Sequence, residues 1–127
     1  MRTYRWTAIL VALPLLLAAM PNNQSVTADF VGTWQVDLRP TPESPSYFQE
    51  LKITSIGDGT FRGRFYDSDI ENGRFNDDWG TLHFAFTTRD GSGIYHTTGQ
   101  LLDGKMTGTT HSLGRGFLSV WTAEPKP

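Results

Sequence analysis

Two of the chain's three histidines, His96 and His111, are spaced symmetrically about an Asp-Gly pair in "YHTTGQLLDGKMTGTTHSLG", residues 95–114. Asp-Gly favours a two-residue hairpin turn, because both central positions of a type I′ turn need positive φ. Leu102 then pairs with Lys105, and counting outward sets His96 directly opposite His111 on one face of an antiparallel pair. His83 lies on the preceding strand. With a turn at Asp90-Gly91, it falls opposite Thr98 and diagonal to His96. Opposed Cβ atoms stand about 5 Å apart and diagonal ones about 7 Å. At that spacing His83, His96 and His111 could hold zinc or copper and leave one position open for water or substrate. The competing reading is three outward-facing histidines on a threonine-rich sheet, with no cofactor and no carboxylate placed to orient the rings.

Other residues of chemical interest read more plainly. Asp67, Asp69, Glu71, Asp77 and Asp78 crowd into "YDSDIENGRFNDDW", but, counted from Asp67, glycine falls at the seventh position rather than the sixth that a calcium loop requires. Turn chemistry explains the cluster. Ser112 adjoins His111, and neighbouring strand residues point to opposite faces, so the two form no catalytic pair. Arg115 sits in a turn, where it could anchor an anion or simply be solvated.

Strands must position these groups. Turn signals recur at "PTPESP", "GDG", "ENG", "NDDWG", "RDGSG", "DG" and "GR", separated by short runs rich in Thr, Phe, Val, Ile and Tyr. That pattern predicts an all-β fold with eight strands, over 31–39, 47–56, 60–67, 69–75, 81–88, 93–102, 105–113 and 116–123. The connections are short, so neighbours pair as hairpins in an antiparallel up-and-down meander, and closure into a barrel removes the edges.

Register follows from the turns. The Asp90-Gly91 turn pairs Phe86 with Tyr95, Phe84 with Thr97 and Leu82 with Gly99. A turn at Gly114-Arg115 sets Phe117 opposite Ser112 and Trp121 opposite Gly108, so the indole lies across Gly108 and Gly99. One face then carries Leu82, Phe84, Phe86, Tyr95, Leu101, Met106, Phe117 and Trp121. It is the better core face, and the histidines fall on the other. In the second hairpin a three-residue "GDG" loop with Gly59 in the left-handed region pairs Leu51 with Phe65 and Ile53 with Gly63. Trp34, Phe65, Phe84, Phe86, Tyr95 and Trp121 either fill the barrel or line a cavity for an apolar ligand.

The first 28 residues read as a signal peptide. Arg2 and Arg5 precede the apolar run "TAILVALPLLLAAM", which is shorter than the roughly 20 residues a membrane span needs. Cleavage is expected after Ala28, with Ala19 as the alternative. The expected domain, 29–127, is then periplasmic or secreted. Removing Arg2 and Arg5 from eleven basic residues leaves nine against thirteen acidic ones, a net charge of −4. That argues against nucleic-acid binding, which needs a basic surface. The chain has no cysteine, so core packing and strand pairing must hold the domain without disulfides.

The stretch "FVGTWQV", with Gly32 and Trp34, followed by "ITSIGDGTFRGRFYDS", resembles the opening of the calycin barrels, the lipocalin and avidin families. The resemblance covers the first 40 or so residues of the domain. It implies an eight-stranded up-and-down barrel open at one end that binds a small molecule. The Asn and Ser that contact biotin in avidins are absent after the tryptophan, which is followed by "QVDLRPT". The expectation is a non-catalytic barrel that binds a small apolar or amphipathic ligand. The alternatives are a metal-dependent enzyme using the histidine face, or a solid interaction module.

Overall fold

The structure, a computed structural model, describes Thr3 and residues 23–127, with side chains from Thr27 onward. The expected signal peptide lies outside the described residues except for Thr3 and its last six, which open a short helix, α1 (Asn23–Phe30). Among the described residues no helix is long and apolar enough to cross a membrane.

The rest is all-β: β1 (Gly32–Asp37), β2 (Phe48–Ile56), β3 (Phe61–Phe65), β4 (Ser68–Asp69), β5 (Glu71–Asn76), β6 (Leu82–Asp90), β7 (Gly93–Leu102), β8 (Lys105–Ser112) and β9 (Phe117–Pro125). They form one antiparallel sheet in the order β4-β3-β2-β1-β9-β8-β7-β6-β5, a nearly closed up-and-down barrel. There are nine strands rather than the expected eight, because the fourth is split. Tyr66 and Asp67, both at positive φ, turn the chain sharply into the two-residue β4. Asn72, at φ 55°, then lies within a register shift in β5. The seam between β3 and β5 closes through the Thr60–Arg74 bridge and the bonds from Phe75 N to Gly59 O (3.0 Å) and from Ile70 N to Gly63 O (2.9 Å). Gly73 permits that approach, since a Cβ there would run into the Phe61 carbonyl.

Most of the derived registers hold. His96 faces His111, Gly99 faces Gly108, and Trp121 faces Gly108. Leu51 pairs with Phe65 and Ile53 with Gly63, while Gly59 has φ 68°. That hairpin is tighter than the expected three-residue loop, since Gly57 N bonds to Thr60 O at 2.8 Å. An irregularity between Ile53 and Ser55 restores the apolar/polar split.

The β6–β7 register is corrected. Asp90 pairs with Gly93, so the turn is Gly91-Ser92 and not Asp90-Gly91. The Asp90 carboxylate accepts the Ser92 N–H at 2.7 Å, which keeps Asp90 as the last strand residue. Phe86 therefore pairs with Thr97, Phe84 with Gly99 and Leu82 with Leu101. Each partner moves by two residues, so every side chain keeps its face. Phe84, not Trp121, covers Gly99, while Trp121 covers Gly108.

The core is one cluster from all parts of the sheet. Trp34, Val36, Leu51, Ile53, Leu82, Phe84, Phe86, Leu101, Met106 and Trp121 are buried. Phe30, at the end of α1, is fully buried and plugs one end of the barrel. Its ring meets Phe61 edge-on at 5.0 Å and lies 5.2 Å from Phe84. Its carbonyl accepts the Trp34 indole N–H at 3.0 Å.

Candidate functional site

In a meander, alternate turns gather at the same end. The segment between β1 and β2, the Tyr66-Asp67 turn, the β6–β7 turn and the β8–β9 turn all lie at the end opposite Phe30. There the bore opens into a hollow of about 530 Å³. This size falls within the ~300–1,000 Å³ usual for small-molecule sites.

The hollow exists because inward positions change character toward this end. Along β6 the inward residues run Leu82, Phe84, Phe86 and then Thr88. Along β8 they run Met106, Gly108, Thr110 and Ser112. Thr88, Thr97, Thr110 and Ser112 are all buried, yet too small to fill the bore. The hydroxyls of Thr97, Thr110 and Ser112 are used internally. Thr97 Oγ1 lies 2.9 Å from Thr110 Oγ1, which also accepts the Trp121 indole N–H at 3.1 Å. Ser112 Oγ accepts the Arg115 N–H at 3.1 Å. Phe65 supplies the apolar floor and Phe117 an aromatic wall.

The rim is polar. Tyr47 and Tyr66 share a hydroxyl–hydroxyl hydrogen bond, and their rings meet nearly edge-on at 6.2 Å. That bond raises the Tyr66 pKa above its ordinary value. Tyr95 donates its hydroxyl to Asp90 at 2.8 Å. The Asp90 carboxyl is held below its ordinary value, first by the Ser92 N–H and next by the Tyr95 hydroxyl, against the cost of desolvation. Arg115 places its guanidinium 5.1 Å from the Phe117 ring centre, a cation–π arrangement. Its pKa is raised, chiefly by Tyr95. The β1–β2 segment is tied down by Asp37, which accepts from the Arg39 guanidinium (2.6 and 2.9 Å) and from the Arg39 and Tyr47 N–H groups.

The residues expected to line a cavity divide in two. Phe65 and Tyr95 wall the hollow. Trp34, Phe84, Phe86 and Trp121 are between 2% and 4% exposed and belong to the packed half. Nothing in the strand pattern marks Tyr47, Tyr66 or Asp90 as rim residues, and Arg115, the turn residue able to anchor an anion, joins them there. The alternation of turns between the two barrel ends was the available signal for all four.

The histidines do not converge. His96 and His111 oppose each other on the exposed outer face, but His83 faces Gln100 while His96 faces Thr87. Four strand positions now separate His83 from His96, about 13 Å, so the diagonal placement expected for a three-histidine metal site is not formed. Among the described residues no group of three or more His, Asp or Glu side chains is arranged to hold a metal. The acidic cluster is dispersed as well: Asp69 pairs with Arg64, Glu71 with Arg89, and Asp77 accepts from Thr27. Ser112 is buried and His111 exposed, on opposite faces as the alternation requires.

No family model, curated protein or solved structure matches the chain.

Proposed function

We propose that the protein is an exported, calycin-like barrel that binds a small apolar or amphipathic molecule at its open mouth and carries out no chemistry on it. The observation that carries this reading is the hollow itself. A barrel selected only for packing would continue the Leu/Phe/Met filling of its closed half. Here threonine and serine take those inward positions: Thr97 and Thr110 bond to each other, Ser112 accepts the Arg115 N–H, and Thr88 and Thr110 line the space. An apolar floor beneath a rim of tyrosines and one arginine suits a ligand with an apolar body and a polar end. The histidine-face enzyme is not favoured, because His83 stands apart from the other two.

The test is titration of the protein with the fluorophore 1-anilinonaphthalene-8-sulfonate, alone and with Ser119→Phe. Ser119 lines the hollow, and the larger ring would occupy it. One saturable site is expected, weakened about tenfold or more by Ser119→Phe, the effect of about 1.4 kcal/mol. No saturable binding, or binding indifferent to the substitution, would remove the mouth as a ligand site.

A further inference from the structure

Leu118, Ser119 and Val120 all border the hollow. Side chains alternate along a strand, so three consecutive residues can meet one space only if the strand presents its backbone edge to it. On one side β9 is paired with β8 throughout Phe117–Ala123. On the other side β1 stops at the Asp37–Thr122 pair. Past that point the chain turns away: the Leu38 N–H bonds to Tyr47 O at 2.8 Å. Pro40, Pro42 and Pro45 follow, and proline has no N–H to extend a ladder. Among the described residues nothing pairs with residues 117–121 on this side.

The ladder fixes which groups face the gap. The bond from Lys126 N to Thr33 O, 2.9 Å, marks those residues as a hydrogen-bonded pair. Such pairs alternate in an antiparallel ladder, so Glu124 and Thr122 turn their backbone groups the same way, and Val120 and Leu118 must follow. Each leaves one N–H and one C=O directed at the gap. Unpaired edges are ordinarily blunted by charge or proline. This one carries leucine and valine, 63% and 68% exposed.

We propose that the mouth receives an extended peptide segment, which adds a strand to β9 where β1 has left it. Its backbone bonds to Leu118 and Val120, and an apolar side chain enters the hollow above Phe65. A row of alternating donors and acceptors beside an apolar pocket is the arrangement by which sheet edges bind peptides, with the ladder supplying affinity and the pocket selecting side chains. The inference rests on the mouth being a binding site and names the class of ligand it takes.

The probes are blocked short peptides of threonine with a single central valine, leucine, phenylalanine, tyrosine or tryptophan, followed by amide shifts and hydrogen exchange in the ¹⁵N-labelled protein. At least one peptide is expected to bind below about 1 mM and to slow exchange of the Leu118 and Val120 amides. Val120→Pro removes one edge donor on the side away from β8. It should weaken that peptide about tenfold. Methylation of the peptide's backbone nitrogens should do the same against the unaltered protein, which covers the case in which Val120→Pro fails to fold. Fluorophore binding without peptide binding overturns this inference and leaves the mouth reading standing. Absence of both overturns both. Equal affinity for methylated and unmethylated peptides overturns strand addition.

Discussion

Gly99 and Gly108 face each other across β7 and β8, and each is covered by an aromatic ring. They should nevertheless respond differently to the same substitution. A Cβ at Gly99 would lie 2.5 Å from Phe84 Cζ and 3.0 Å from both Cε atoms, and these ring atoms are its three nearest neighbours. A Cβ at Gly108 would collide with Trp121 Cζ2, would lie 2.7 Å from Trp121 Cε2, and would also collide with the Thr98 carbonyl oxygen. The first obstacle is the end of one side chain. The second includes the backbone of a paired strand, which cannot move without stretching the ladder. Overpacking of this kind costs about 1–3 kcal/mol. Gly99→Ala should therefore be relieved by Phe84→Leu, which lacks the Cε and Cζ atoms. The double variant should be more stable than the sum of the single effects predicts by about 1–3 kcal/mol. Gly108→Ala combined with Trp121→Leu should remain much closer to additive, because the Thr98 carbonyl is still in the way. Urea unfolding followed by far-ultraviolet circular dichroism measures both cycles. Equal coupling in the two cycles would refute the reasoning, as would a Gly99→Ala effect unmoved by Phe84→Leu.

Two further outcomes follow from single contacts. Trp34→Phe removes the donor to the buried Phe30 carbonyl and should cost about 1–3 kcal/mol, with faster amide exchange in α1; unchanged exchange there would detach the plug from Trp34. Asp37 is held at about 2, down from 3.8, first by the Arg39 guanidinium against the cost of desolvation, then by the Tyr47 and Arg39 N–H groups. A lowered carboxylate pKa stabilises the fold fully above the unfolded value and loses that contribution as pH falls through the folded one. The stability difference between the protein and Asp37→Asn should be constant above about pH 5, shrink as pH falls from there, and lose its pH-dependent part only below about pH 2; a difference independent of pH in acid unfolding would deny the ion pair that role.

The parts of this fold that could be read from sequence are those protected by the two-residue period of a strand. The Asp103-Gly104 turn was unambiguous, with φ of 53° and 74°, and the His96–His111 pair followed from it. "RDGSG" offered an equally attractive Asp-Gly, but the Asp90 carboxylate captured the Ser92 N–H and moved the turn on by one residue. The resulting two-residue displacement left every β6 side chain on its face, so Leu82, Phe84 and Phe86 are buried as expected. It also changed every neighbour, which is why His83 lost its place beside His96. Core membership needs only the face of a residue, whereas a site needs its neighbours. The rim was harder still, since Tyr47, Tyr66 and Arg115 come from three separate connections and Asp90 from the end of β6, and no strand period relates them.

The two halves of the bore bear on what the mouth is for. In the closed half Phe30, Phe61, Phe84, Phe86 and Trp121 pack ring against ring, with centroid separations of 5.0 to 6.3 Å. Each such side chain contributes about 1.5–3 kcal/mol by leaving water. Replacing Thr88 or Thr110 by a larger apolar residue would gain more burial of the same kind, and the strand period would already direct it inward. The chain instead keeps small hydroxyl residues there, and Thr110 is satisfied within the wall by bonds to both Thr97 and Trp121. It also ends β1 with prolines at the level where β9 borders the hollow. Either feature alone leaves a local imperfection in a barrel. Together they put an apolar space beside a strand edge that nothing pairs with among the described residues, the two features that the proposed peptide would use at once.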